Sequence, residues 1–349
     1  MKWRSLGALA DPSRYQDPLD LRGQDPSVLR SQLRAMVSIR MTEQHLAEKR
    51  RDGLIGGPVH LGIGQEAVAV GVSECLRQSD MVFGAHRSHS HLLALGSSVH
   101  RLFAEILGKD TGLSRGMGGS MHLWDQPRGF YGSVPIVGGT VPLAVGAGLA
   151  AKLKGVDDVA VSYCGDGAME EGAVQESLNL ARVLEVPVLF VVENNLFASH
   201  MHISLRQSSN ATSRFAVAND IPYEVVDGND VTEVAAAAAR LVESARGGGG
   251  PGFLEAVTFR WLGHVDWRAD VDVGVARSDD DLAKWRARDP IARLESAMVT
   301  AGHWSATQGE TLRSDLKQQI VALWKQAMSD PWPEAKALMD FVYTRREGA

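Results

Sequence analysis

An aspartate in a tight turn and an asparagine at a second strand end are the residues of this chain best suited to hold a metal ion. Asp166 lies in Gly165-Asp166-Gly167, just after the apolar run Val159-Ala160-Val161-Ser162-Tyr163. The 26 residues 168–193 separate Gly167 from the amide pair Asn194-Asn195, which follows a second apolar run, Val186 to Val192. A carboxylate and an amide oxygen are hard ligands of the kind Mg²⁺ selects for its near-octahedral shell. The flanking glycines let the backbone approach a phosphate closely. A helix opening near Met169 would aim free N–H groups and its positive dipole end at that anion. Gly-Asp-Gly alone is an ordinary turn, and Asn-Asn alone a strand-end cap. At this spacing, after two strands, they describe a site for a hard cation carrying a diphosphate, with Asp166, Asn195 and a nearby main-chain carbonyl as protein ligands.

Such a site needs two neighbouring parallel strands, because ligands of a doubly wound sheet bind beyond the carboxyl ends of its strands. The two apolar runs supply them, and Tyr223-Glu224-Val225-Val226 and Phe253 to Trp261 read as two more. Helical patterns alternate with them. Pro142 to Leu153 reads as a buried helix with small residues for close packing, and Asp230 caps an alanine-rich helix broken by Gly247 to Pro251. Upstream, Asp25-Pro26-Ser27 opens a helix with Leu29, Leu33, Met36, Val37 and Met41 on one stripe, and Gly53 ends it. Gly-rich loops at 53–64 and 108–119 flank a helical segment around Glu66 to Leu76. After Ser278 the chain reads as helical to near Arg345, with breaks at Asp289-Pro290, Gly302 and Asp330-Pro331. The pattern predicts an α/β fold: a doubly wound, mostly parallel sheet flanked by helices. Residues 1–26 form an N-terminal arm, and 27–345 one α/β domain that is helical from about 278. No internal repeat and no dividing linker is evident.

Bulk properties narrow the partners. With 349 residues, 44% of them hydrophobic, the chain can bury a large core. A formal net charge of −6 argues against nucleic acid or an anionic membrane. No run approaches the ~20 apolar residues of a membrane span, and the first residues lack a signal-peptide core. Two cysteines, Cys75 and Cys164, make no disulfide framework, so a reducing cytoplasm is expected.

Further motifs join the Gly-Asp-Gly and Asn-Asn pair in order: His60-Leu61-Gly62-Ile63-Gly64-Gln65-Glu66-Ala67, Arg87-Ser88-His89, Gly116-Met117-Gly118-Gly119-Ser120-Met121-His122, Ile136-Val137-Gly138-Gly139 and Gly263-His264. The set resembles the alpha subunit of the thiamine diphosphate-dependent 2-oxoacid dehydrogenases (pyruvate, branched-chain and acetoin types), over about residues 27–345. That resemblance implies that Asp166, Asn195 and the Phe197 carbonyl hold Mg²⁺, with Gly167 and Ala168 donating N–H bonds to the diphosphate. Arg87 matches the arginine that grips the terminal phosphate, where bidentate guanidinium geometry explains the residue type. The residue before it is often tyrosine in the family; here it is His86, which still offers one hydrogen bond. Val137 matches the apolar support beneath the bent cofactor. His264 matches a histidine that contacts the phosphate beside the active-site channel, and is the candidate catalytic residue.

The family's reaction cleaves the carbon–carbon bond next to a carbonyl of a 2-oxo acid or acetoin and passes the acyl group to a lipoyl acceptor. The glutamate that activates the aminopyrimidine lies in this family on a separate pyrimidine-binding domain, and residues before Val159 do not read as a second sheet domain. A beta subunit is therefore expected, in an α₂β₂ assembly, with a lipoyl acyltransferase as a further partner. Val265 stands where the mammalian pyruvate type has serine, so its phosphorylation switch is not expected, and the acidic loop 265–274 points toward acetoin-type or specialised bacterial members. A thiamine-dependent acyloin synthase of transketolase type, or a non-catalytic protein on the same fold, are the alternatives. His86, His89 and His91 also suggest zinc, against which stand Arg87 among them and no fourth ligand. His60, Gln65 and Glu66 read equally as a helix entry. Glu170 and Glu171 are expected to face solvent or a partner.

Overall fold

The computed structural model describes residues 5–268 and 277–339. Its strands are β1 (Met81–Gly84), β2 (Phe130–Ser133), β3 (Ala160–Gly165), β4 (Val188–Asn194), β5 (Phe197–Ala198), β6 (Met201–His202), β7 (Tyr223–Asp227) and β8 (Gly252–Val257). Six of them form one sheet in the order β2-β1-β3-β4-β8-β7, with every pair parallel. β5 and β6 make a separate antiparallel hairpin. Its helices are α1 (Pro26–Arg51), α2 (Glu66–Ser73), α3 (His89–Ala94), α4 (Val99–Ile106), α5 (Val141–Lys154), α6 (Gly172–Leu184), α7 (Ser213–Ala218), α8 (Val231–Ser244), α9 (Asp279–Ala287), α10 (Pro290–Thr300) and α11 (Ala306–Ser329).

Side chains alternate across a strand, and a sheet covered on both faces needs apolar residues at every position. Val188, Phe190 and Val192 of β4 join Ala144, Val145, Val174 and Leu178 of α5 and α6 on one face. Leu189 and Val191 point the other way, onto a core that includes Val68 and Val72 of α2 and Val234 and Leu241 of α8. The same alternation puts Val161 and Tyr163 of β3 on the second face. Asp230 caps α8 by accepting from the backbone of Thr232 and Glu233. Asp25 caps α1 through Ser27, and its stripe of Leu29, Leu33, Met36 and Val37 packs on Ile291, Leu294 and Leu312 of the C-terminal helices.

Several local expectations shift. β1 and β2 lie in a stretch whose sequence reads as helix and loop, and they extend the same sheet rather than founding a second. The helix expected from near Met169 starts at Gly172, because residues Asp166–Glu170 first make a 3₁₀ turn. α5 is not a buried helix: Leu143 and Leu153 are 55% and 79% exposed. The arm holds a 3₁₀ turn at Gly7–Ala10 and is tied down by arginines, with Arg288 donating to the Leu9 and Asp11 carbonyls and Arg293 to that of Asp17. Among the described residues no helix is long and apolar enough to cross a membrane. The expected acidic loop beyond Arg268 and the helix beyond Met339 fall outside the described residues.

Candidate active site

Strand register aligns the two motifs. Gly165, the last residue of β3, pairs with Glu193 of β4, so Asp166 and Asn195 both step off the same sheet edge. The consecutive asparagines then diverge. Asn194 turns into the protein and donates to the Glu255 carboxylate at 2.7 Å and the Asn210 carbonyl at 2.9 Å. Asn195 turns to the cleft, its Oδ1 accepting from the Phe197 N–H at 3.2 Å and its Nδ2 donating to Gln65 Oε1 at 3.3 Å. Gln65 therefore orients the amide, a contact that its place at a helix entry does not suggest. Glu66, by contrast, is structural: fully buried, it is bridged by Arg40.

Asp166, Gly167, Ala168, Asn195, Phe197, Val137, His86, Arg87 and His264 all line one cleft of about 370 Å³, together with Gln65, Glu193 and Arg260. Residues from six sequence regions thus meet at the carboxyl edge of the sheet, as the topology requires. Asp166 is 1% exposed. Burial pushes its carboxyl above the usual range, against the pull of the Arg206 guanidinium, with which it forms an ion pair. Glu170 also pairs with Arg206, so it faces the cleft rather than solvent alone. Val137, which lines the cleft, is 49% exposed, and its neighbour in sequence Ile136 is 70% exposed.

Arg87 fastens two loops across the cleft, donating to the Leu61 carbonyl at 2.7 Å and the His264 carbonyl at 2.9 Å. His86 stands beside it with His60 and His264, and the three rings lie 4.8–5.3 Å apart. Burial first, then Arg87, pushes all three imidazoles down: His60 to about 4, His86 to about 2 and His264 to about 3. They are neutral at physiological pH, each with one donor and one acceptor nitrogen. The structure separates the three histidines considered for zinc. His89 lies between Glu43 and Ser120, and His91 stacks on Tyr163 with its Nδ1 against Ser88. The cluster that does form, His60, His86 and His264, has Arg87 Nη2 3.4 Å from His264 Nδ1. A guanidinium there favours an anion over a cation.

The donor set fits a magnesium diphosphate. A buried carboxylate already drawn to a cation adjoins an oriented amide oxygen, while arginine and neutral imidazoles line the far wall. Gly165 faces open space, where an added Cβ would meet nothing within 4 Å. Arg206 and Arg260 carry no motif that sequence reading recognises; the fold alone brings them here.

The family described as dehydrogenase E1 component matches residues 33–336. The alpha subunit of the pyruvate dehydrogenase E1 component of Rhizobium meliloti is 37% identical over 306 residues, 87% of each chain. The alpha subunit of acetoin:2,6-dichlorophenolindophenol oxidoreductase of Bacillus subtilis is 36% identical over 89% of this chain and 92% of its own. Its counterpart in Cupriavidus necator is 35% identical over 91% and 95%. A family match across most of the sequence, with relatives 35–37% identical over most of both chains, establishes that this chain belongs to the dehydrogenase E1 component family.

Proposed function

We propose that the chain is the alpha subunit of a thiamine diphosphate- and Mg²⁺-dependent dehydrogenase component that acts on a 2-oxo acid or acetoin. The observation that carries this function is the convergence of Asp166, Asn195, Arg87, Val137 and His264 on one cleft from distant parts of the chain. Asp166, Asn195 Oδ1 and the Phe197 carbonyl hold Mg²⁺. The Gly167 and Ala168 N–H groups, Arg87 and His86 hold the diphosphate. His264, neutral and fixed through its carbonyl to Arg87, presents a proton donor or acceptor to the phosphate and the reacting end of the channel. Val137, which lines the cleft, would give the cofactor an apolar support. When bound, thiamine diphosphate supplies the electron sink for cleavage next to a carbonyl. A lipoyl group would be the acceptor of the acyl product.

A beta subunit completes the site in this proposal, as α₂β₂, with a lipoyl acyltransferase docking on the assembly. The names of the relatives, each an alpha subunit, support a beta partner. So do the exposed apolar side chains of Ile136, Val137, Leu143, Leu153 and Val183, since permanent interfaces are large and apolar. We take residues 27–345 as one domain behind the arm, and the cytoplasm as its compartment, which the free Cys75 and Cys164 support. Titration calorimetry with thiamine diphosphate, with and without Mg²⁺ and the beta chain, tests the assignment. Magnesium-dependent binding is expected, and no binding under any condition would overturn it. Turnover of pyruvate against acetoin then separates the two substrate classes.

A further inference from the structure

Arg206 holds none of the roles proposed above, yet it sits at the centre of the cation site. It follows the β5–β6 hairpin at the end of a 3₁₀ turn, Ile203–Leu205, and its side chain is 7% exposed. The guanidinium reaches back to bridge two carboxylates, with Nη2 on Asp166 Oδ2 and Nη1 on Glu170 Oε1. Its Nε donates to the Met201 carbonyl at 3.3 Å. A carboxylate as buried as Asp166 is costly unless a cation accompanies it. Arg206 supplies that cation from within the chain, at the oxygen-rich corner where Asp166 adjoins Asn195 and Phe197.

Two cations compete for one buried carboxylate. Mg²⁺ beside Asp166 would face the guanidinium across a few ångströms of low-dielectric protein, where repulsion between like charges is strong. We propose that Arg206 is an internal counter-ion latch. It closes the site between Asp166 and Glu170 in the cofactor-free chain and is displaced when Mg²⁺ arrives with the diphosphate. The arm that swings is continuous with the hairpin that begins at Phe197, so loading the metal and resetting this segment are one event. The latch keeps the site intact without cofactor and sets a threshold for loading it.

The latch rests on the proposed role of Asp166 as a metal ligand, and the experiment separates the two ideas. The full chain with its beta chain, stripped of cofactor, is titrated calorimetrically with thiamine diphosphate at fixed Mg²⁺. Wild type is compared with Arg206→Gln and Arg206→Lys. Arg206→Gln is expected to bind about tenfold tighter, equivalent to roughly 1.4 kcal/mol. Its cofactor-free form should melt lower and gain more on loading. Lysine keeps the charge but cannot bridge two carboxylates with a planar fork, so it should fall between the two, and it serves if the glutamine variant does not fold. Equal or weaker binding by both variants would overturn the latch, the weaker case meaning that Arg206 grips the diphosphate itself. No binding by wild type would instead overturn the assignment of Asp166, and the latch with it.

Discussion

Gly167 is where the turn that carries Asp166 touches the hairpin that carries Phe197. A Cβ placed on Gly167 would lie 2.6 Å from Ala198 Cβ but 3.5 Å from Ala198 Cα. Carbon atoms pack best at about 3.5–4.0 Å, so Gly167→Ala must force the two segments roughly 1 Å apart. Overpacking of this kind costs about 1–3 kcal/mol of stability. A displacement of roughly 1 Å between groups that must act together lowers turnover by roughly 10²-fold. Denaturant unfolding of the chain and turnover of its complex with the beta chain measure the two effects. Gly165→Ala is the control for stability, since its Cβ meets nothing within 4 Å, and it should stay within about 0.5 kcal/mol of wild type. Because the clash is with Ala198 Cβ and not with backbone, Ala198→Gly in the Gly167→Ala background should restore most of the loss. Equal stability of the two alanine variants, or a double variant no better than Gly167→Ala, would refute the contact as the cause.

The depressed imidazoles give a pH dependence of definite sign. His60, His86 and His264 titrate in the folded chain at about 4, 2 and 3, against about 6.5 when unfolded. The unfolded chain takes up their protons first as pH falls, so stability is greatest above pH ~6.5 and declines from there, the His60 part ending near pH ~4 and the rest near pH ~2–3. Each contributes at most about 1.4 kcal/mol per pH unit, less where water reaches the ring. His86→Phe should flatten the decline in denaturant midpoint, and an unchanged slope would argue against a neutral buried His86. Asp227, 1% exposed, accepts from Arg288 at 2.9 Å and Arg293 at 2.8 Å, the same arginines that hold the arm. Asp227→Ala leaves two guanidiniums without their shared anion and should cost about 3–5 kcal/mol, with proteolysis rising first near residues 9–17; resistance equal to wild type would count against this anchoring. Burial pushes the Cys164 thiol up to about 12, so it should resist maleimide at pH 8 until the protein unfolds, and rapid native labelling would contradict its placement.

What the sequence revealed and what it hid divide along the range of the determining interactions. β3, β4 and β8 declare themselves because a strand buried on both faces is built mostly of apolar residues. The caps at Asp25 and Asp230 are local as well. β1 and β2 are four residues each, too short for a period to emerge, and they are strands because β3 offers an edge to pair with. The approach of Asp166 to Asn195 was legible because two strand ends sit next to each other in a parallel sheet whatever lies between them. The three histidines at 86, 89 and 91, already disfavoured as a zinc site by Arg87 among them and the lack of a fourth ligand, part because the start of α3 turns His89 and His91 inward. His60, His86 and His264 meet only through tertiary structure. Arg206 and Gln65 belong to the same class, since a long polar side chain on a loop gives no hint of which carboxylate or amide it will reach.

Arg87 ties the backbone at Leu61 to the backbone at His264 through a single side chain. The backbone at His264 is thereby tied to the body of the protein, and so is Asp266 two residues on, which Arg50 and the Val59 backbone hold. A side chain 177 positions away in sequence therefore decides where the loop at His264 leaves the sheet edge.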